Sequence, residues 1–249
     1  MSQFIAYLKY LIKAKHRRGF GIHSPYLYRL QSVIIEEELP YYKYDEIEGQ
    51  RARLQKSEGE IKILTDEGNE KLMRVSAIMK HFSLEAKYAQ LLFRLVNDFK
   101  PKAIAEGGTT TGVTTCYLAG PSSKTPVYAF SKQSEMSRLM NSMSKNICIK
   151  NILLQNGQAD IFLSEDDDVD FLYVNEASAE DMRIYLHSFF QKDNKRMAVV
   201  QNIHKDRATE TVWQEFVDND NVQASMDLFQ LGILIKNSDL QKENFVVLF

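Results

Sequence analysis

The chain has 249 residues, of which 44% are hydrophobic and 26% charged, and its formal net charge is −2. This composition is typical of a folded domain with an ample apolar core, and it excludes a largely disordered or collagen-like chain. Because the charge is close to zero, there is no general attraction to nucleic acid and no nucleic-acid partner is expected. Cys116 and Cys148 belong to no metal-binding or redox motif, which fits a reducing cytoplasm and predicts a cytoplasmic protein.

The first segment of the chain predicts an amphipathic helix. Lys9 and Lys13 interrupt its apolar residues, so no run approaches the roughly 18 apolar residues of a membrane-spanning helix, and no stable membrane insertion is expected. We interpret the helix as packing on its own domain or on a second copy, which makes a homodimer an expectation. Contact with anionic lipid is the alternative. The apolar positions are Phe4, Ile5, Leu8, Leu11 and Ile12.

Residues 1–100 are predicted to form a helical extension. Ser24 and Pro25 are N-cap and N1 signals for a second helix, which should run to about Glu37. Periodicity then predicts helices over 45–56 and 72–79, with a short strand or extended segment over 60–64 between them. Ser83 is expected to cap a further helix. The buried side of that helix is predicted to be Leu84, Tyr88, Leu91, Leu92 and Leu95.

Residues 101–249 are predicted to form a second domain, in which apolar runs alternate with helical stretches. The predicted strands are 103–106, 127–130, 152–155, 169–174 and 198–201. The predicted helices are 111–118, 133–144, 179–190 and 209–217. This alternation predicts a parallel, doubly wound α/β sheet with right-handed crossovers. The last apolar runs, at 222–229, 232–236 and 245–249, lack long helices between them and predict an antiparallel finish.

The stretch 103–115 predicts a strand, a tight glycine turn and the start of a helix. Gly107 and Gly108 can take the positive φ that such a turn needs, and threonines 109–111 offer N-cap oxygens. Gly112 permits a close backbone approach. The N–H groups of the turn favour a carboxylate, a phosphate or an electron-rich edge. The alternative is a glycine-rich loop that only connects a strand to a helix.

The spacing of Glu106, Gly108 and Gly112 differs from the G-x-G-x-x-G dinucleotide motif. It resembles the first motif of class I S-adenosylmethionine-dependent methyltransferases. The resemblance extends over the whole chain, from the helix at Ser24 to the late hairpin at Asp227, and is to bacterial O-methyltransferases. It implies a Rossmann-like fold, S-adenosylmethionine as cofactor and a small-molecule methyl acceptor. The cofactor-binding residues that it implies are Glu106, Gly107, Gly108, Thr109, Gly112, Ser131, Gly157, Gln158 and Asn175.

Three positions depart from the pattern of these methyltransferases. The second strand usually ends in an acid that binds the ribose of the cofactor, and here that position is Ser131, whose hydroxyl can make one neutral hydrogen bond. Cation-dependent relatives hold a divalent ion with acids at the ends of the fourth and fifth strands, which here read Asn175 and Gln201. Neutral amides hold a hard dication weakly, so no metal is predicted unless Glu176 turns inward.

His204 lies just past the fifth predicted strand and is the candidate catalytic base, because its ordinary pKa suits proton removal near neutrality. The alternative is a loop histidine that makes an ordinary hydrogen bond. Tyr173 and Trp213 are interpreted as core residues. The sequence therefore predicts a metal-independent methyltransferase that acts mainly by positioning. A catalytically inactive protein that binds the cofactor or a protein partner is the alternative, and the glycine spacing disfavours an oxidoreductase.

Overall fold

The structure is a computed structural model of the chain. It describes residues 3–14, 19, 21–64, 69–108, 111–131, 134–155, 159–175 and 177–249. The chain contains two compact units, one made of Met1–Glu38 with Gln158–Phe249 and the other of Leu39–Gly157. These units do not follow the predicted division at residue 100, so the two domains expected from the sequence stay a prediction.

Helices and strands alternate through most of the described chain. The helices are α1 (Gln3–Lys13), α2 (Pro25–Arg29), α3 (Tyr42–Gln55), α4 (Val75–Phe82), α5 (Ala86–Phe99), α6 (Val113–Ala119), α7 (Ser134–Asn146), α8 (Ala159–Glu165), α9 (Ala179–Phe190) and α10 (Arg207–Asp218). The strands are β1 (Glu60–Leu64), β2 (Glu70–Arg74), β3 (Ala103–Gly107), β4 (Val127–Phe130), β5 (Ile152–Gln155), β6 (Val169–Val174), β7 (Arg196–Gln201), β8 (Ala224–Asp227), β9 (Leu231–Lys236) and β10 (Glu243–Val246).

The unit Leu39–Gly157 contains three parallel strands in the order β3-β4-β5. The register pairs Ile104 with Val127 and Val127 with Ile152. All five residues of β3 are buried, as its continuous apolar run predicts for a parallel strand covered on both faces. A separate antiparallel ribbon joins β1 to β2.

The other unit contains strands in the order β6-β7-β9-β8-β10. β6 and β7 are parallel, and β9 runs antiparallel to both β7 and β8, as the predicted antiparallel finish requires. The prediction of an antiparallel finish is wrong for β10, which pairs in parallel with β8. β9 lies between β7 and β8, so the outer edge of β8 is left open. β10 pairs with that edge and runs in the same direction as β8. The helices and mostly parallel strands confirm the predicted Rossmann-like α/β fold class.

α1 packs on its own unit through Ala6 and Tyr10, which are its buried residues. The Tyr10 hydroxyl donates to the carbonyl oxygen of Val247, and the Phe249 N–H donates to the Tyr10 oxygen at 3.2 Å. Within the described part of the chain, every helix is too short or too polar to cross a membrane.

Two helix boundaries differ from those predicted. Leu72 belongs to β2 and is 61% exposed, and α4 begins only at Val75, because Leu72 pairs across the ribbon with Lys62. The predicted cap at Ser83 is also wrong, since α5 starts later and Ser83 donates instead to the Thr111 hydroxyl at 3.1 Å.

Other local predictions are confirmed. Ser24 accepts a hydrogen bond from the Leu27 N–H at 3.4 Å and so caps α2, which continues as a π-helical segment over Leu30–Ile35. Tyr173 and Trp213 are core residues, as expected. One helix is not among the predicted ones: α8 is short, and the periodicity of the sequence did not indicate it.

Candidate functional site

The turn after β3 has the glycine geometry that the sequence predicts. Gly107 is the last residue of β3, and Gly108 has a φ of 89°, a conformation that side chains with a Cβ rarely adopt. The Gly108 N–H donates to the carbonyl oxygen of Phe130 at 3.2 Å, which ties the turn to the end of β4. Thr109, the next predicted cofactor residue, lies outside the described residues.

Glu106 is fully buried at the end of β3. Its carboxylate accepts hydrogen bonds from the Thr114 hydroxyl at 3.1 Å and from the Thr115 hydroxyl at 2.5 Å, both in the first turn of α6. Burial, reinforced by the charge of Glu106, raises the pKa of the neighbouring Cys116 thiol, which therefore stays protonated. Glu106 thus joins β3 to α6 by hydrogen bonds and stabilises the turn between them. A direct contact with a cofactor stays a prediction.

Gly112 is the residue at which α6 begins, with a φ of 80°. A Cβ at this position would lie 2.5 Å from Cγ and 2.8 Å from Cα of Met140, in α7. Gly112 occupies the N-cap position, so the predicted cap is wrong for Thr111, while Thr109 and Thr110 lie outside the described residues. The close approach predicted for Gly112 is to a neighbouring helix, and its role in binding a cofactor stays a prediction.

Ser131 directly follows β4 and is half-buried. The register pairs Gly107 with Phe130, the residue before Ser131, so the structure brings the glycine turn and Ser131 to the same end of two adjacent strands. Gly157 and Gln158, which the sequence also assigns to the cofactor, lie outside the described residues. Three predicted residues, Gly107, Gly108 and Ser131, are therefore neighbours in one unit.

In the other unit, Asn175 follows β6 and is buried, and Gln201 ends β7. Val174 pairs with Val200, so these two amides also lie at the same end of adjacent strands. The Tyr173 hydroxyl donates to the Gln201 side-chain oxygen. Glu176 lies outside the described residues, and among those that are described no group of three or more metal-binding side chains is gathered.

His204 lies between two carboxylates. Its Nδ1 is 3.1 Å from Glu210 Oε1, in α10, and its Nε2 is 2.8 Å from Asp227 Oδ2, at the end of β8. Its ring also stacks on that of Phe229, with the centroids 5.2 Å apart. Burial by itself lowers the pKa of His204, but the hydrogen bonds and charges of Asp227 and Glu210 outweigh burial and leave that pKa raised. A protonated ring donates from both nitrogens, so His204 acts here as an ionic link between α10 and β8.

Sequence reasoning placed His204 correctly after β7 but did not find its partners. Glu210 lies six residues further on and Asp227 lies 23 residues further on, in a strand brought close only by the late hairpin. The sequence did offer a signal for Glu210. Asp206 marks the start of α10 as its N-cap, which places Glu210 in the first turn of the helix, close to His204.

A cavity of about 900 Å³ adjoins His204 in the same unit. Its walls come from α1, α10, β8 and β10. Residues that line it include Ala6, Tyr10, His204, Arg207, Trp213 and Asp227. An N-terminal helix and the loop after β7 therefore contribute to one concave surface large enough for a small molecule.

No protein-family model matches the sequence, and no curated protein does so either. Solved structures with a similar fold include the O-methyltransferase TomG of Streptomyces achromogenes, involved in tomaymycin synthesis and solved with SAM. That match has a TM-score of 0.57 and 12% identity, and covers 84% of this chain and 94% of TomG.

Two further structures have the same fold. The Bacillus cereus O-methyltransferase, in complex with SAH, has a TM-score of 0.56 and 13% identity, over 84% of this chain and 95% of that one. A SAH-bound methyltransferase of Podospora anserina has a TM-score of 0.57 and 12% identity, over 80% and 88%. At this level of identity, the likeness shows that the chain has the fold of class I methyltransferases.

Proposed function

We propose that this protein is a metal-independent methyltransferase that uses S-adenosylmethionine and acts on a small molecule. One observation carries the proposal: a glycine turn with Gly108 at a φ of 89° follows β3, in a fold shared with O-methyltransferases solved with SAM or SAH. The Glu106 carboxylate stabilises this turn from within.

The described residues fit the cofactor at the turn. Gly108 has no Cβ to obstruct a ligand, and Ser131 lies beside Gly107 with a hydroxyl for one neutral hydrogen bond to a ribose. Gly107, Gly108 and Ser131 would therefore hold the group, and the predicted contacts of Thr109, Gly112, Gly157, Gln158 and Asn175 belong to the same proposal. When bound, S-adenosylmethionine supplies an electrophilic methyl group on its sulfonium.

The contribution of the chain to transfer would be orientation of the acceptor, which can account for much of the rate of a reaction between two bound groups. The cavity beside His204 is the small-molecule site that we propose in its own unit, because it is concave and combines Tyr10 and Trp213 with polar side chains. General-base catalysis by His204 stays a prediction. Its two hydrogen-bonded nitrogens favour a positioning role, since a base needs a ring nitrogen ready to accept a proton.

A catalytically inactive protein that binds the cofactor or a protein partner is the second candidate. It is favoured by the neutral side chains at three usually acidic positions, Ser131, Asn175 and Gln201, and by the hydrogen bond that Gln201 already accepts from Tyr173. A binding experiment and a turnover experiment together separate the two candidates.

Calorimetric titration with S-adenosylhomocysteine tests the cofactor site. We expect weak binding, with a Kd on the order of tens to hundreds of micromolar. Ser131→Glu should tighten binding by about tenfold, because a charge-assisted hydrogen bond replaces a neutral one. Gly108→Val should abolish binding, because valine cannot take the φ of this turn. Gly49→Val is the matched control, since a Cβ at this exposed helical glycine meets nothing within 4 Å.

If the wild-type protein and all of the variants are folded and none of them gives heat with S-adenosylhomocysteine, the cofactor site is rejected. If wild-type binding is tight and Ser131→Glu does not change it, Ser131 is not beside the ribose. Binding of S-adenosylhomocysteine without methyl transfer from S-adenosylmethionine to a panel of hydroxyl- and amine-bearing small molecules would favour the inactive alternative.

A further inference from the structure

α1 presents an apolar stripe to solvent. On a helix of 3.6 residues per turn its positions fall within about 120°, so they form one continuous face. Phe4 is 67% exposed and Ile12 is 77% exposed, and the side chains between them are exposed as well. The stripe consists of Phe4, Ile5, Leu8, Leu11 and Ile12.

The way α1 is held directs this stripe outward. Ala6 and Tyr10 form the buried side of the helix, and the Tyr10 hydroxyl is bonded to Val247. The rings of Tyr7 and Tyr10 both contact Phe229, with centroids 4.9 and 5.3 Å away. Turning the apolar stripe inward would break all of these contacts, so the unit that carries α1 does not cover it.

The segment around the stripe is strongly basic. Residues 1–35 contain six lysines and arginines and no acidic residue, although the whole chain has 31 basic and 33 acidic residues. Lys9 and Lys13 are exposed on α1, on the flank between the apolar stripe and Ala6, where both also line the cavity beside His204. A short helix with an apolar face and lysines along one flank of it matches a surface that is apolar inside and anionic outside.

This charge disfavours a second copy of the chain as the occupant. A symmetric pair of α1 helices would place Lys9 and Lys13 of both copies at the edges of the contact, and like charges at an interface oppose association. The helix is also only roughly 16 Å long and 10 Å across, which falls well short of the ~800 Å² per partner that a standard interface buries.

We propose that α1 is a membrane-surface anchor, which lies in the headgroup region of an anionic lipid bilayer with its apolar stripe inserted and its lysines at the phosphates. The rest of the unit stays outside the bilayer, attached through Ala6 and Tyr10. This proposal uses none of the cofactor-turn residues, although Ala6 and Tyr10, which hold α1 on its unit, also line the cavity beside His204.

Co-sedimentation with lipid vesicles tests the proposal. Wild-type protein should bind vesicles of equal parts phosphatidylcholine and phosphatidylglycerol, and binding should fall at least about fivefold on pure phosphatidylcholine or at high salt. Ile12→Asp should reduce binding to the anionic vesicles by about tenfold or more, because it removes one inserted apolar side chain and adds an acid. Leu72→Asp, at an exposed leucine of β2, is the matched control and should bind as wild type does.

Circular dichroism establishes that each variant is folded, and Phe4→Ser replaces Ile12→Asp if that variant does not fold. Equal binding to both kinds of vesicle, or anionic binding that neither stripe variant weakens, would overturn the proposal. A wild-type dimer in light scattering that Ile12→Asp converts to a monomer would also overturn it, and would assign the stripe to a second copy.

Discussion

The connections after β3 and after β7 use a charged side chain in different ways. After β3, Glu106 is fully buried and is bonded by two neutral hydroxyls from the next helix. After β7, His204 has a side chain 17% exposed and lies between two carboxylates, one in the next helix and one in β8. The first connection is closed by residues within nine positions of each other, whereas the second depends on Asp227, which is distant in sequence.

The comparison shows that the hydrogen-bond donors of the two connections differ in whether they titrate with pH. Neutral hydroxyls do not titrate near neutral pH, so the hydrogen bonds they donate to Glu106 do not change with their own protonation. The link through His204 depends on the ring being protonated, and the raised pKa of His204 extends the protonated form to higher pH than for an ordinary histidine. The hydrogen-bond donors at the glycine turn are therefore hydroxyls that do not titrate, whereas the donor in the wall of the cavity is a histidine ring that does.

The largest effect that we expect comes from removing the buried acid. Glu106→Ala should lower the free energy of unfolding by about 3 kcal/mol or more, because it leaves the hydroxyls of Thr114 and Thr115 buried without this acceptor. Glu106→Gln, which keeps one acceptor oxygen, should cost about half as much. Urea unfolding monitored by circular dichroism measures both. Glu180→Ala, at an exposed acid of α9, is the control and should stay within about 0.5 kcal/mol of wild type; an equal loss in Glu106→Ala and this control would remove the basis of the comparison.

A smaller effect is expected where α6 begins. Gly112→Ala should lower the free energy of unfolding by about 2–3 kcal/mol, because it adds a Cβ at positive φ and against Met140. Adding Met140→Ala removes the contact at 2.5 Å with Cγ but not the one at 2.8 Å with Cα, so the double variant should recover only part of the loss. Gly49→Ala should instead stabilise α3 by about 0.5–1 kcal/mol. Full recovery in the double variant would show that the backbone conformation at Gly112 carries no cost.

The smallest effect, and the one that depends on pH, is expected at His204. Its folded pKa is raised, so its stabilisation is fully present below the unfolded value near 6.5 and is lost as pH rises through the folded pKa. His204→Gln should therefore cost about 1–2 kcal/mol near pH 6 and progressively less at higher pH. The urea midpoint measured across this range checks the prediction. His187→Gln, at an exposed histidine of α9, is the control, and the same pH profile in both variants would contradict the ionic link.

The sequence was most informative where the local pattern alone determines the structure. The bounds of β6 match the predicted strand 169–174, because a run that is apolar except for Asp170 lies there between Asp168 and Asn175. The positive φ of Gly108 was predictable for the same kind of reason, since few other residues allow that turn.

Prediction failed where a distant partner decides. Leu72 has helical spacing with Val75, yet it pairs across a ribbon with Lys62. Ser83 is a residue type that often caps helices, but its hydroxyl donates to the hydroxyl of Thr111, 28 residues further along the chain. The partners of His204 could not be found for the same reason, because Asp227 is brought to the ring by strand pairing and not by spacing.

The bond between Tyr10 and Val247 joins residues that are 237 positions apart in the chain. At about 5–20 residues per second, a ribosome adds Val247 roughly 10–50 seconds after Tyr10. Throughout that interval the face of α1 that carries Ala6 and Tyr10 lacks its native cover, since Val247 and Phe249 do not yet exist. A contact of such high sequence separation also closes slowly once the chain is complete. α1 is therefore made long before the residues that hold Tyr10, and the newly made chain exposes its docking face throughout that interval.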